Sequence, residues 1–228
     1  MKEKLILLHG ALGSKEQLMP LREILSETFD VYSFNFSGHG GDTTVEPYSI
    51  DLFVQNTIDF MKVEDLEKAH FFGYSMGGYV ALKLAHAYPE RAQKIITLGT
   101  KFKWDPEAAA KEVRMMNPEI IGQKVPVFAA TLDARHQPGD WASIMIRTGE
   151  MMTELGNGLA MTRDHFNAIA HQALICIGTD DHMVSITESE TTASQLPHGH
   201  LKVIEGFRHP LEAVDITTLA SVISGFIG

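Results

Sequence analysis

Gly73-Tyr74-Ser75-Met76-Gly77 follows a short apolar run and precedes a longer, helix-like one. The stretch has the pattern Gly-x-Ser-x-Gly, and the run before it, residues 68–72, has the length of a buried strand. A serine on a sharp strand-to-helix turn is held out of the sheet with strained backbone angles, and glycines on either side leave room for the turn. The pattern therefore predicts a nucleophilic Ser75, although an ordinary glycine-rich turn with an incidental serine has the same pattern.

The composition is that of an ordinary folded protein. The chain has 228 residues, of which 44% are hydrophobic and 21% are charged, and this length suits one domain with a sizeable core. Its net charge of −10 argues against nucleic acid or an anionic membrane as a partner. The first apolar run, residues 5–8, is too short for a signal peptide or a membrane helix, so we expect a cytoplasmic protein. The single Cys176 is expected to be a buried thiol without an internal disulfide.

Strand-like and helix-like runs alternate along the chain. Strands are predicted at 5–8, 31–36, 69–73, 94–98, 173–177 and 201–204, and helices near 14–29, 49–63, 79–88, 186–195 and 211–226. Repeated strand-helix units imply right-handed crossovers and a parallel sheet. The sequence therefore predicts an α/β fold with helices around the sheet, in a single domain that spans residues 1–228.

The segment from about 101 to 171 interrupts this alternation. It contains helix-like runs without a convincing strand, and it is rich in methionine, which fits irregular apolar spaces (Met115, Met116, Met145, Met151, Met152 and Met161). We predict a helical lid between two core parts, 1–100 and 172–228; helices that simply pack on the sheet are the alternative. Its arginines are interpreted as solvated surface, or alternatively as contacts for a carboxylated substrate (Arg114, Arg135, Arg147 and Arg163).

A serine hydroxyl needs a base before it can act as a nucleophile. His209 lies between the last strand and the last helix, where the functional groups of an open parallel sheet gather. His39, in a glycine-rich loop after the second strand, is the alternative base. The third partner must be a carboxylate that orients the imidazole. Asp180 and Asp181 both follow the strand at 173–177, and their position leaves the choice between them open, with Asp181 preferred.

Two backbone N–H groups are expected to stabilise the developing oxyanion. One belongs to Ala11, after the first strand, and the other to Met76, at the positive end of a helix. His9 is expected to shape the first of these loops rather than to carry protons. Further side chains are candidates for substrate contact (Leu12, Tyr74, Met145 and Met183). No metal-ligand spacing such as His-Glu-x-x-His occurs in the sequence, so neither a metal nor an organic cofactor is expected.

Taken together, these motifs resemble the α/β-hydrolase family over nearly the whole chain. The matching segments are Leu7-Leu8-His9-Gly10, Phe36-Ser37-Gly38-His39-Gly40, Gly73-Tyr74-Ser75-Met76-Gly77-Gly78, Gly178-Thr179-Asp180-Asp181-His182-Met183-Val184 and His209-Pro210. In that family the acid usually stands three residues after the glycine and three before the valine of the fourth segment. The resemblance therefore implies Asp181 as the acid, and a lid inserted where residues 101–171 lie.

The sequence also departs from the family. Members commonly have two more strands before the His-Gly strand, whereas this chain begins at that strand, so we expect about six strands, all parallel. The loop at 36–40 lacks the acid and the proline of the usual Asp-x-Pro-Gly-His-Gly motif. This loss leaves the triad intact, but it is expected to alter the pocket wall.

The resemblance implies a serine hydrolase that works through an acyl-enzyme. The apolar lid favours a small to medium carboxylic ester as the substrate, so the expected partner is a small acyl compound. Thioester hydrolysis, carbon–carbon bond hydrolysis and a lyase reaction with the same triad are alternatives on this fold. A ligand-binding receptor with slow turnover is an alternative of another class. The oligomeric state is not predicted.

Overall fold

Six short strands form one wholly parallel sheet in the computed structural model, which describes residues 2–228. Their order across the sheet is β2-β1-β3-β4-β5-β6. The strands are β1 (Lys4–Leu8), β2 (Asp30–Ser33), β3 (Ala69–Tyr74), β4 (Ala92–Leu98), β5 (Ala173–Gly178) and β6 (Gly199–Ile204). The predicted α/β fold with about six parallel strands flanked by helices is confirmed.

Ten α-helices accompany the sheet within residues 2–228. In chain order they are α1 (Met19–Leu25), α2 (Ile50–Val63), α3 (Met76–Ala87), α4 (Pro106–Val113), α5 (Pro118–Lys124), α6 (Pro126–His136), α7 (Trp141–Glu154), α8 (Arg163–Asn167), α9 (Ile186–Gln195) and α10 (Ile216–Ile227). A π turn, Leu155–Leu159, extends α7. Five of the helices, α4 to α8, lie in the one long connection between β4 and β5.

The two faces of the sheet carry separate hydrophobic cores because neighbouring strand residues point to opposite sides. In β1, Leu5 and Leu7 belong to the core under α1 and α10, whereas Ile6 and Leu8 belong to the core under α2 and α3. The second core continues into the helices between β4 and β5. Both faces of the central strands are therefore buried, which explains why these strands are continuous apolar runs in the sequence.

The direction in which the chain adds strands to the sheet reverses between β1 and β3. The chain moves outward from β1 to β2, returns to β3 on the other side of β1, and then continues to β6. In open parallel sheets a crevice forms at the carboxyl ends of the strands on either side of such a reversal. The loop after β1 and the turn after β3 therefore face the same crevice.

Several predicted bounds differ from the observed ones. The final helix is broken: a short 3₁₀ turn, Leu211–Ala213, precedes α10, which starts where the Asp215 carboxylate caps the Thr218 N–H at 2.6 Å. Helix α5 was not predicted.

Cys176 is buried and free, as expected, and burial raises its pKa to about 12. Within residues 2–228, none of the helices combines the length and apolar character needed to cross a membrane.

Candidate active site

Ser75 lies at the sharp turn between β3 and α3. Its φ of 51° is one that residues other than glycine rarely adopt. Two contacts from the end of β4 hold the turn: the Ser75 N–H donates to the Leu98 carbonyl at 2.8 Å, and Thr100 Oγ1 donates to the Ser75 carbonyl at 2.8 Å. The strained residue is therefore fixed by its neighbours.

The glycines on either side of Ser75 are required by close approaches of the backbone. A Cβ atom on Gly73 would overlap the backbone of Gly77 and Gly78. A Cβ atom on Gly77 would overlap the Leu8 carbonyl at the end of β1. The glycines thus let the first turn of α3 lie against β1, which brings Ser75 next to the loop that follows β1.

His209 and Asp181 meet across the ends of β5 and β6. His209 Nδ1 lies 2.9 Å from Asp181 Oδ2, while Asp181 Oδ1 accepts from the N–H groups of Met183 at 2.8 Å and Val184 at 2.9 Å. Burial alone would raise the pKa of Asp181, but these hydrogen bonds outweigh it and hold the pKa below its usual value. The carboxylate therefore stays charged and fixes the orientation of the imidazole.

Neither alternative residue takes part in this pair. The Asp180 carboxylate accepts from its neighbour Thr179 at 3.1 Å, while its backbone N–H donates to the Phe207 carbonyl at 3.0 Å. His39 is fully buried beside the rings of His9 and Tyr48, where burial lowers its pKa well below the usual value. The structure thus brings Asp181, rather than Asp180, to His209.

The two predicted oxyanion donors lie beside Ser75. Ala11 and Met76 both line the cavity that Ser75 and His209 line. Met76 is the first residue of α3, where the helix offers its N–H no acceptor. Within residues 2–228, no backbone hydrogen bond outside the helices and strands uses either N–H. Both donors are therefore available to a ligand.

His9 holds the loop after β1 in place. Its Nδ1 lies 2.8 Å from the Gly10 carbonyl, and its Nε2 accepts from the Phe36 N–H at 3.1 Å. These contacts require a neutral ring with the proton on Nδ1. Burial lowers the pKa of His9 to about 4, so the ring stays neutral and supports the loop.

The shared cavity contains about 530 Å³ of empty space, a value that includes solvent at its open side. Ser75 and His209 both line it, although no hydrogen bond joins their side chains in the part of the chain that the structure describes. Such contacts are often long before a substrate binds. Most of the remaining wall is apolar (Ile50, Tyr79, Trp104, Met151, Met152, Leu155, Met183 and Val184).

The other predicted substrate contacts lie elsewhere. Of the four candidates, Met183 lines the cavity, whereas Leu12, Tyr74 and Met145 do not. The Leu12 carbonyl accepts from Arg135 at 2.9 Å, and Met145 is buried in the core of the helices after β4. The Tyr74 hydroxyl donates to the His209 carbonyl at 2.8 Å. Burial raises the pKa of Tyr74, so this hydroxyl keeps its proton and can hold the His209 loop.

None of the four arginines considered as alternative contacts for a carboxylated substrate lines the cavity. Arg135 reaches the Leu12 carbonyl, Arg147 donates to the Thr44 carbonyl at 2.7 Å, and Arg114 and Arg163 are exposed. The charged residues that do line it, Lys101 and Glu112, were not predicted. Lys101 follows β4, so the rule that functional groups gather at strand ends could have found it; no sequence pattern marks Glu112.

Among residues 2–228, no group of three or more histidine, cysteine, aspartate or glutamate side chains has the arrangement of a metal site. His86 and His165 pack against each other with ring centroids 4.8 Å apart, but they form no larger group.

Known proteins resemble the chain over most of its length. The family model Hydrolase_4, described as serine aminopeptidase, S33, matches residues 1–213. A poly(3-hydroxyalkanoate) depolymerase of Ectopseudomonas oleovorans is 24% identical over 88% of this chain and 76% of its own. A 3-oxoadipate enol-lactonase of Acinetobacter baylyi is 22% identical over 97% of this chain and 88% of its own.

A solved structure with the same fold is 2-hydroxy-6-oxo-6-phenylhexa-2,4-dienoate hydrolase from Rhodococcus sp. strain RHA1. It superposes with a TM-score of 0.81 at 20% identity and covers 98% of this chain and 90% of its own. At that identity the likeness concerns the fold alone.

Proposed function

Because this chain belongs to the Hydrolase_4 (serine aminopeptidase, S33) family of α/β-hydrolases, we propose that it hydrolyses small to medium carboxylic esters with a Ser75–His209–Asp181 triad. One observation carries the proposal. The strained Ser75 and His209 line the same cavity, and Asp181 holds the imidazole from its far side. A nucleophile, a base and an orienting acid are thus arranged around one space for a ligand.

In the first half of the reaction, Ser75 Oγ attacks the ester carbonyl and forms a tetrahedral intermediate. His209 Nε2 takes the serine proton, since Nδ1 is engaged by Asp181. The N–H groups of Ala11 and Met76 stabilise the oxyanion, a contribution of about 10²- to 10³-fold in rate for one such donor. His209 then gives its proton to the departing alcohol, and an acyl-enzyme on Ser75 remains.

In the second half, water replaces the alcohol. His209 accepts a proton from the water as it attacks the acyl carbon, and the same two N–H groups hold the second oxyanion. Return of the proton to Ser75 releases the acid. The proposed reaction is completed by side chains and backbone groups of this chain together with water.

The cavity supports the choice of substrate. Its wall is mostly apolar, and Trp104, Met151, Met152 and Leu155 in the helical connection contribute to it. We therefore propose that residues 101–171 form the lid over a core of residues 1–100 and 172–228. The relatives named as a depolymerase and an enol-lactonase fit ester chemistry. Carbon–carbon bond hydrolysis is the alternative reaction on this fold.

The test is the release of p-nitrophenol from p-nitrophenyl esters of increasing acyl length. We expect many turnovers by the wild-type enzyme and a loss of at least about 10³-fold in Ser75→Ala. Ser221→Ala, which changes an exposed serine on α10, is the matched control and should keep wild-type turnover. A loss of only a few-fold in Ser75→Ala would refute the triad.

A second measurement separates the other chemistries. If no ester is turned over but a fluorophosphonate labels Ser75, the triad is active on another bond, and thioesters, carbon–carbon bonds and lyase substrates come next. Release of one product per enzyme molecule, without further turnover, would indicate a receptor. If Ser75 is neither labelled nor needed, the proposed mechanism is wrong.

A further inference from the structure

Two side chains of opposite charge face the otherwise apolar cavity. Lys101, just after β4, and Glu112, on α4, both line it together with Ser75 and His209. Lys101 Nζ and Glu112 Oε1 are 3.6 Å apart, and the Glu112 side chain is only 6% exposed. A carboxylate this deeply buried is costly unless it receives hydrogen bonds.

The pair leaves its hydrogen-bonding capacity unused. Within residues 2–228, no hydrogen bond of 3.5 Å or less reaches the Glu112 carboxylate or Lys101 Nζ. A direct ammonium–carboxylate hydrogen bond is about 2.7–2.9 Å long, so the observed separation is that of a loose contact. Both groups therefore have sites left for a ligand that enters the cavity.

The charges around the pair favour a neutral ligand group. A second carboxylate, Glu188, lies 3.9 Å from Lys101 Nζ, so the ammonium already faces two negative charges. A substrate carboxylate would add a third negative charge, and a substrate ammonium would be repelled by Lys101. A neutral group that both donates and accepts hydrogen bonds avoids both penalties, and a hydroxyl is the smallest such group.

We propose that Lys101 and Glu112 form a specificity subsite for a hydroxyl on the substrate, which donates to Glu112 and accepts from Lys101. The preferred substrates are then hydroxylated esters, an inference that rests on the proposed ester hydrolysis. Since a site with buried polar groups leaves them unpaired when the hydroxyl is missing, it discriminates against the plain ester. We expect the hydroxylated ester to exceed its plain analogue in kcat/KM by about 10- to 100-fold.

The experiment compares ethyl hexanoate with its 3-hydroxy and 6-hydroxy derivatives, using proton release to obtain kcat/KM. In the wild-type enzyme at least one hydroxylated ester should be preferred. Glu112→Gln and Lys101→Met should each reduce the preference to about threefold or less. Glu107→Gln makes the same change at an exposed site on α4 and should keep the wild-type ratio.

A purely structural ion pair makes a different prediction. It would tie the loop after β4 to α4, so the variants would lower kcat/KM for all esters equally and leave the ratio unchanged. Equal kcat/KM for hydroxylated and plain esters in the wild-type enzyme would overturn the subsite without requiring any variant to fold. Preference for an ester with a carboxylate or an ammonium would also overturn it. Absence of Ser75-dependent turnover on every ester would instead refute the proposed function.

Discussion

At the scale of single residues, the two neighbouring aspartates provide a sharp contrast. Asp181 contacts His209 at 2.9 Å, whereas the Asp180 carboxylate contacts Thr179. Replacement of Asp181 by asparagine removes the charge that stabilises the imidazolium and favours the wrong tautomer. We expect Asp181→Asn to lower kcat by about 10³- to 10⁴-fold, measured on the best p-nitrophenyl ester.

Asp180→Asn is the matched control because it makes the same chemical change one residue away. It should stay within a few-fold of the wild-type kcat. The reverse ranking of the two variants would show that His209 uses the other carboxylate during turnover, and the observed pair would then be a resting arrangement.

We expect Tyr74 to act as a positioning residue, since it contacts His209 and does not line the cavity. Its hydroxyl donates to the His209 carbonyl at 2.8 Å, and its ring centroid lies 5.6 Å from that of His209. Tyr74→Phe keeps the ring and removes the hydrogen bond, worth about 1 kcal/mol. We therefore expect kcat to fall about fivefold with KM nearly unchanged in steady-state kinetics. A rise in KM at constant kcat would instead indicate that Tyr74 contacts the substrate.

At the scale of elements, the packing of α4 against the π turn after α7 depends on a close approach at one glycine. A Cβ on Gly156, in the π turn after α7, would lie 2.5 Å from the Ala109 Cβ on α4. Helix α4 carries Glu112, and Leu155 of the π turn lines the same cavity. Gly156→Val should push the two elements apart and cost about 1–3 kcal/mol, as measured by urea unfolding.

Gly122 on α5 is the comparison, since a Cβ there meets nothing within 4 Å. An alanine in an exposed helix restricts the unfolded chain, so Gly122→Ala should raise the free energy of unfolding by about 0.4–1 kcal/mol. A Gly156→Val variant as stable as the wild type would mean that the close packing of α4 on the π turn contributes little.

The helices also show which parts of the fold could be predicted from the sequence. Helix α9 matches its predicted bounds of 186–195, because Ser185 caps it and a regular pattern follows. Helix α5 was missed although Asn117 caps it, since its seven residues bury no side chain and so give no apolar period.

The residues of the candidate site also divide into those that a local sequence pattern marks and those that it does not. Ser75, His209 and the neighbouring Asp180 and Asp181 all follow strands, so their proximity could be inferred from the parallel sheet. The choice of Asp181 over Asp180 rests on the resemblance to the α/β-hydrolase family. Lys101 and Glu112 come together only through the packing of α4, which depends on tertiary contacts that no local pattern records.

At the scale of the whole molecule, a buried cluster of histidines is expected to make the stability of the fold sensitive to acid. The His39 ring lies 5.2 Å from the His9 ring and 5.7 Å from the His136 ring. The cluster joins the loops after β1 and β2 to α6, since His136 Nδ1 accepts from the Gly40 N–H at 3.0 Å. Burial lowers the pKa of all three residues, to about 4 for His9.

Because the pKa values of these histidines are lowered in the folded protein, a decrease in pH should reduce its stability. Below about pH 6.5 the unfolded chain binds protons at these histidines, whereas the folded chain does not until the pH approaches the lowered values. Stability is therefore complete above about pH 6.5 and falls as the pH decreases. His9 alone should lower the free energy of unfolding by about 2 kcal/mol between pH 7.5 and 5, measured by urea unfolding at both values.

A variant assigns this acid sensitivity to the cluster. In residues 2–228, His39 Nε2 is buried without a hydrogen-bond partner, while Nδ1 lies 3.1 Å from the Ser37 carbonyl. His39→Phe therefore gives up one hydrogen bond and removes one group that must stay neutral. The loss of stability between pH 7.5 and 5 should be clearly smaller in His39→Phe than in the wild type. His198→Gln, which changes an exposed histidine, should leave the loss unchanged. Equal losses in His39→Phe and His198→Gln would show that protonation of the buried His39 ring is not a source of the acid sensitivity.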